Sequence, residues 1–98
     1  MRNTYLDDQA RAADLQARAE ATRLLLRAKC QEAGCVVAAD ERVTEEAAAQ
    51  LIGMTQGGLK NMRHQGRAPV AYNLPVERSR VSYRLLDLAL WIEQKRGH

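Results

Sequence analysis

Hydrophobic and polar positions follow a helical period over the first third of the chain. Residues 4 to 33 contain neither glycine nor proline and are rich in alanine, leucine, arginine, glutamine and glutamate, all strong helix formers. One stripe recurs in steps of three and four residues and consists of Leu6, Ala10, Ala13, Ala17, Ala21, Leu24 and Ala28. The pattern predicts one long helix, capped by Asn3 or Thr4 and ended by Gly34, with an apolar seam made mostly of alanine.

The length of this helix and its small side chains bear on assembly. At 1.5 Å per residue the helix would be about 45 Å long, which exceeds the width expected for the rest of so short a chain. A seam of small residues permits helices to approach closely, either within one chain or between two chains. We expect residues 1–35 to hold a homodimer together, with docking on the chain's own body as the alternative.

Two short helices are predicted after a linker or short extended segment at residues 35–42. Thr44 is suited to cap a helix from Glu45 to Ile52, and a glycine follows that helix. Thr55 caps a second helix, Gln56 to Gln65, which is again followed by glycine. Two short helices joined by three residues form the helix-turn-helix pattern.

From Pro69 onward the hydrophobic period changes to two. Residues 70–74 alternate, residues 75–80 form a charged tip, and residues 81–83 alternate again, which predicts a β-hairpin. The last predicted helix, Leu85 to Arg96, is apolar on nearly all sides, so a second element must cover it. The long N-terminal helix is the expected cover, from the same chain or from a partner.

Composition and charge narrow the class of protein. The 98 residues include 46% hydrophobic and 28% charged side chains, with no run of 18 apolar residues and no apolar leader, so we expect a cytoplasmic protein without membrane contact. The net charge of +3 is unevenly spread, because residues 55–84 hold six Lys and Arg against one acidic residue. A compact basic segment is typical of a nucleic-acid contact, and a solvated charged surface is the alternative.

The second short helix carries side chains that can bind nucleic acid. With Leu59 and Met62 facing inward, the outward positions are Gln56, Gly57, Lys60, Asn61, Arg63 and His64. Glutamine and asparagine can bond adenine, lysine and arginine can reach guanine or phosphate, and the amides after Thr55 can hold a phosphate. These residue types predict a double-stranded DNA contact.

Three arginines and two glycines extend this prediction. Arg67 follows the helix, and Arg78 and Arg80 lie at the hairpin tip, where all three can neutralise phosphates. Gly57 and Gly58 each cost a helix roughly 1 kcal/mol relative to alanine. They indicate close approach of the backbone to another group, unless they merely fray the first turn.

The sequence shows no catalytic or metal-binding constellation. His64 is the only interior histidine, and no carboxylate pair has a supporting acid or base nearby. Cys30 and Cys35 cannot form a four-ligand zinc site even with His64 and His98, so we interpret them as structural thiols. We expect no enzymatic activity, no cofactor and no metal.

The C-terminal part of the chain resembles a known class of DNA-binding domains. The segments that carry the resemblance are Val43-Thr44-Glu45-Glu46-Ala47-Ala48, Leu51-Ile52-Gly53-Met54-Thr55, Leu59 with Arg63, Gly66-Arg67-Ala68-Pro69, Val81-Ser82-Tyr83-Arg84, Asp87-Leu88 and Trp91-Ile92. Over residues 42–96 they resemble the excisionase-type winged helix-turn-helix domains, relatives of the MerR-like domain that include phage excisionases, AlpA-like regulators and small terminase subunits.

The resemblance implies a recognition helix, Gln56 to Gln65, in the major groove and a wing with Arg78 and Arg80 on the DNA backbone. The N-terminal helix lies outside the resemblance. The Gly57-Gly58 pair departs from the family, which more often has polar or basic residues there, and this weakens the case for base recognition by the first turn.

The predicted fold is mainly α: a long N-terminal helix (1–35), then a winged helix-turn-helix domain (36–98) with a small β-hairpin wing and a C-terminal helix. Two functions follow. The first is a homodimeric, sequence-specific DNA-binding protein of phage or mobile-element type, acting as a transcription regulator or an excisionase-like recombination accessory factor. The second is a protein-interaction module that uses the same fold to bind a packaging or recombination enzyme.

Overall fold

The computed structural model describes residues 4–96, except for the side chain of Thr4, and it is mainly helical with one small antiparallel sheet. In chain order the elements are α1 (Thr4–Ala33), β1 (Arg42–Thr44), α2 (Glu45–Leu51), α3 (Gln56–His64), β2 (Ser82–Arg84) and α4 (Leu85–Arg96). The four predicted helices are confirmed to within one residue at each end. The predicted cap Asn3 and the terminal His98 lie outside the described residues.

Threonine caps start both short helices, as predicted. The Thr44 hydroxyl accepts a hydrogen bond from the Ala47 amide at 3.1 Å, and the Thr55 hydroxyl accepts one from the Gly58 amide at 3.0 Å. Each cap satisfies an amide that the first turn of a helix leaves without a backbone partner. Gly53, between the two helices, has a φ of +80°, a conformation that glycine adopts without steric cost.

The sheet differs from the predicted hairpin. β2 pairs antiparallel with β1, with Val43 opposite Tyr83, whereas residues 70–74 contribute only an isolated bridge between Tyr72 and Ser82. The predicted linker therefore leads directly into a strand. The pairing of β1 with β2 is favoured by burial, because it brings together Val43 and Tyr83, which are both fully buried. Val70, in contrast, remains 59% exposed, so regular pairing of its segment would bury little apolar surface.

α1 covers α4 from within the same chain. Its Ala19, Leu26 and Cys30 join the core formed with Leu85 and Leu88. The predicted seam lies on the other side of α1, where every one of its seven members is exposed. Since the seam and the buried positions differ by two residues, they point about 200° apart around the helix. The prediction that the N-terminal helix covers α4 is thus confirmed, but the covering face of α1 is not the predicted seam.

A buried carboxylate connects α1 to α4. Glu93 is 2% exposed, and its Oε2 accepts a hydrogen bond from the Thr22 hydroxyl at 2.9 Å. The Arg18 guanidinium lies 3.8 Å from the other carboxylate oxygen. Because a buried charge is costly unless it is paired and hydrogen-bonded, these contacts fix how α1 lies along α4.

Within residues 4–96, no helix has both the length and the apolar character that a membrane crossing requires.

Candidate nucleic-acid interface

α3 presents one continuous polar face to solvent. The exposed positions on this face are Gln56, Gly57, Lys60, Asn61 and His64. Leu59 on the opposite side is fully buried, and Met62 is half-buried, as predicted. The helical period therefore places two amides, one ammonium and one imidazole side by side on a convex surface, where they can reach into a groove.

Arg63 does not belong to this face. Its Nε lies 2.8 Å from Oε2 of Glu45, and the Arg63 side chain is only 25% exposed. The prediction that Arg63 faces outward with its neighbours is wrong. The physical reason is that Glu45 is 5% exposed, and a buried carboxylate requires a cation or strong donors close to it.

Glu45 is the centre of a buried cluster that holds three elements together. The Tyr83 hydroxyl donates to Glu45 Oε2 at 2.8 Å, so α2, α3 and β2 share one carboxylate. Burial favours a higher pKa for Glu45, but the bonds from Arg63 and Tyr83 outweigh burial and hold the pKa of Glu45 below its ordinary value. Burial and the bond to Glu45 raise the pKa of Tyr83. The cluster fixes the orientation of α3 relative to the sheet.

The turn at residues 75–80, which we call the tip, carries two exposed arginines. Val76 and Ser79 bond each other through both backbone groups at 3.0 Å, so the chain reverses there as predicted. Arg78 and Arg80 are both exposed. The Ser79 hydroxyl accepts from the Glu45 amide at 3.2 Å, which holds the tip against the start of α2.

The start of α3 and the tip line one depression. Its lining residues are Thr44, Glu46, Gln56, Glu77, Arg78 and Ser79. The structure thus brings Gln56 and Arg78 to one depression, which two carboxylates, Glu46 and Glu77, also line. Glu46 was missed as a site residue because an acidic residue in the first turn of a helix is explained equally well by the helix dipole.

Arg67 and Thr55 occupy the two ends of α3. Arg67 is exposed beyond the last turn, where its Nη2 donates to Gln65 Oε1 at 2.7 Å. Thr55 is exposed and precedes the first turn, and its hydroxyl accepts a hydrogen bond from the Gly58 amide. The predicted phosphate contact at this terminus therefore cannot use the Gly58 amide while the cap is in place.

The two glycines of α3 have different explanations. A Cβ at Gly58 would lie 3.1 Å from the Thr55 hydroxyl oxygen and 3.4 Å from Met54 Cε, so the chain's own packing disfavours a side chain there. Within the described residues, a Cβ at Gly57 would meet no atom within 4 Å other than its chain neighbours and its own helix backbone. Gly57 therefore costs helix stability without any internal packing reason.

The two cysteines lie at the end of α1. Cys30 is buried, Cys35 is half-buried, and both are free thiols. Burial, together with the neighbouring Cys35, raises the pKa of the Cys30 thiol to about 11, which suppresses its thiolate and hence its reactivity at neutral pH. Across residues 4–96, no three His, Cys, Asp or Glu side chains are grouped so that they could hold a metal ion.

Comparisons of the chain with protein-family models, with curated proteins and with solved structures find no match. Three features of the molecule bear on its function. They are the exposed polar face of α3, the depression that Gln56 shares with Arg78 of the tip, and Gly57, whose helix cost has no internal packing reason.

Proposed function

We propose that this chain is a small sequence-specific DNA-binding protein with a winged helix-turn-helix domain, in which α3 enters the major groove and the tip acts as the wing. The observation that carries the proposal is the exposed polar face of α3, whose Gln56 lines one depression with the exposed Arg78 of the tip. A convex helix bearing amide and cationic groups matches the width and the hydrogen-bonding pattern of the major groove. The biological role proposed is that of a phage-type or mobile-element transcription regulator or recombination accessory factor.

In this proposal the residues divide into two groups. Those that face the bases are Gln56, Lys60, Asn61 and His64, and those that bind phosphates are Arg67, Arg78 and Arg80. Arg63 acts as a positioning residue, because its guanidinium is bonded to Glu45. This bond holds α3 in place and leaves the guanidinium unavailable to a base. Rigid anchoring of a recognition element reduces the entropy lost when it binds.

The carboxylates of Glu46 and Glu77 make one part of the proposed interface unfavourable for phosphate. Both line the depression between α3 and the tip, and both are exposed. A carboxylate repels phosphate but accepts a hydrogen bond from the amino group of cytosine. DNA bases, not phosphates, would therefore face this depression, and the phosphates would lie at its arginine-bearing edge.

The test is duplex binding as a function of salt, with paired charge deletions. Lys60→Ala with Asn61→Ala, and Arg78→Ala with Arg80→Ala, should each weaken binding, by about 1 to 3 kcal/mol for every base contact that is lost. The tip variant should also reduce the salt slope by about two, since two phosphate contacts are lost. Arg11→Ala with Lys29→Ala is the matched control, because both side chains are exposed and belong to α1, not to α3 or the tip.

Unchanged affinity in both interface variants would remove DNA binding through this surface. An equal loss in the α1 control would show that only total charge matters. Either result would leave the alternative of a protein-interaction module for a packaging or recombination enzyme. The long helix α1, which extends past the rest of the molecule, keeps that alternative open, and the alternative predicts little duplex binding at any salt concentration.

A further inference from the structure

We infer that α1 pairs with α1 of a second copy of this chain in antiparallel orientation, with Ala17 on the two-fold axis. This pairing is separate from the proposed function, because the assembly needs no DNA. The paired face is the seam defined above, the seven residues from Leu6 to Ala28 that face away from α4.

The seam is a long apolar strip on the outside of the molecule. Its leucines are largely solvent-exposed, Leu6 by 57% and Leu24 by 54%. No charged side chain interrupts it from end to end, although charged residues flank it on both sides. An isolated exposed leucine needs no explanation, but a continuous strip of this kind on a helix of 30 residues marks a helix-packing surface.

The order of residue sizes selects the antiparallel orientation. The spacing along the seam is the same in both directions from Ala17. An antiparallel second copy therefore places Ala21 opposite Ala13, Leu24 opposite Ala10, and Ala28 opposite Leu6. These pairs never bring two leucines face to face, so the two helices can keep one close separation. A parallel pair would set leucine against leucine at two levels and leave gaps between the alanines.

The charges beside the seam agree with this register. A two-fold axis across antiparallel helices brings each flank against the same flank of the second copy. On one flank Asp14 lies 3.1 Å from Arg18 within the chain. The pairing brings Arg18 near Arg18 of the second copy at the axis, and Asp14 of each copy lies beside this pair and offsets its repulsion. On the other flank Gln9 lies level with Arg27, and Gln16 with Glu20. On this second flank no like charges are opposed at these levels.

The position of the body leaves room for the pairing. α4 packs on the opposite side of α1, so the two bodies lie on the outer sides of the paired helices. The molecule measures 54 × 29 × 22 Å, and its long dimension reflects α1, whose residues before Leu15 are mostly exposed. In the pair, this overhang lies along the Leu24 end of the second copy. The assembly thus explains why the helix extends past its own body.

Sedimentation equilibrium without DNA tests the face. Ala17→Arg puts two long cations at the axis and should raise the dimer dissociation constant at least tenfold. Ala12→Arg is the matched control, since Ala12 is exposed and points about 140° away from Ala17, and it should leave the dimer intact. A wild-type chain that stays monomeric at millimolar concentration, or an Ala17→Arg variant that dimerises like the control, would overturn the inference.

Cysteine cross-linking tests the orientation. In a background with Cys30→Ala and Cys35→Ala, whose helical content is checked by circular dichroism, one sample carries Ala10→Cys and another carries Leu24→Cys. With oxidised glutathione, the mixture should form the mixed disulfide in preference to either homodimer. Preferential self-linking of the Ala10→Cys variant would establish a parallel pair and refute the antiparallel register. Since neither assay contains DNA, these failures are distinct from a failure of the proposed function.

Discussion

Gly57→Ala is expected to stabilise the fold and to weaken DNA binding at the same time. Among residues 4–96, a methyl group at this position meets no atom within 4 Å apart from its chain neighbours and the backbone of its own helix, so it introduces no steric cost. Replacing glycine by alanine inside a helix is worth roughly 1 kcal/mol, and less in the first turn, so we expect a gain of about 0.5 to 1 kcal/mol. For a chain of this size that gain corresponds to a rise of about 2 to 6 °C in the melting temperature.

The opposite effect is expected on binding, because the added methyl group projects from the face that the proposal places in the major groove. If the α3 backbone approaches a base pair there, the methyl group displaces the helix outward and weakens duplex affinity by about tenfold or more. Thermal unfolding followed by circular dichroism and a duplex titration at fixed salt measure the two effects on the same sample.

Gly58→Ala is the matched control for this experiment. Its Cβ would approach the Thr55 hydroxyl oxygen to 3.1 Å, so the gain in helix propensity is offset by strain at the cap, and the melting temperature should rise less or fall. A Gly57→Ala variant that is more stable and binds DNA unchanged would show that the backbone does not approach DNA at Gly57. A variant with no gain in stability would refute the account of its helix cost.

Two further predictions concern the buried carboxylates. Tyr83→Phe removes one donor to Glu45, so the pKa of Glu45 should rise towards its ordinary value. A folded-state pKa below the unfolded value stabilises the fold above the unfolded pKa, and this stability is lost as the pH falls through the folded pKa. The variant should therefore lose less stability than wild type between neutral and acid pH, as measured by urea unfolding across that range. Thr22→Val removes the hydroxyl bonded to Glu93 and should cost about 1.5 to 3 kcal/mol, whereas Thr22→Ser should retain most of that stability; equal losses in the two variants would contradict a role for the hydroxyl.

Local signals in the sequence were sufficient for the helices. The caps at Thr44 and Thr55 depend on residues three positions away, and the exposed face of α3 follows from the positions of Leu59 and Met62. Such features are encoded within one turn of helix, so a single sequence reveals them. The N-terminal helix was predicted for the same reason, from 30 residues without a breaker.

The partner of β2 could not be predicted in the same way. Residues 70–74 are close to β2 in sequence and alternate, which makes them the expected partner. They reach β2 only through the bridge between Tyr72 and Ser82, whereas the regular strand pairing of β2 is with β1, about 40 residues away. Alternation identifies a strand but contains no information about its neighbour. The decision depends on which pairing buries Val43 and Tyr83, and burial of that kind is a property of the whole fold.

The buried carboxylates show why a count of charges overstates a nucleic-acid site. Glu45 contacts Arg63, which is 18 residues away along the chain, and Glu93 contacts Thr22, which is 71 residues away. No local sequence pattern therefore predicts either contact. Arg63 was counted in the basic segment, but it neutralises a carboxylate inside the protein. A groove-binding surface is therefore supported by the cations and amides that the fold leaves exposed on one side, namely Lys60 and Asn61 on α3 and Arg78 at the tip. This set can be identified only when the side chains that form ion pairs inside the protein are left out of the count.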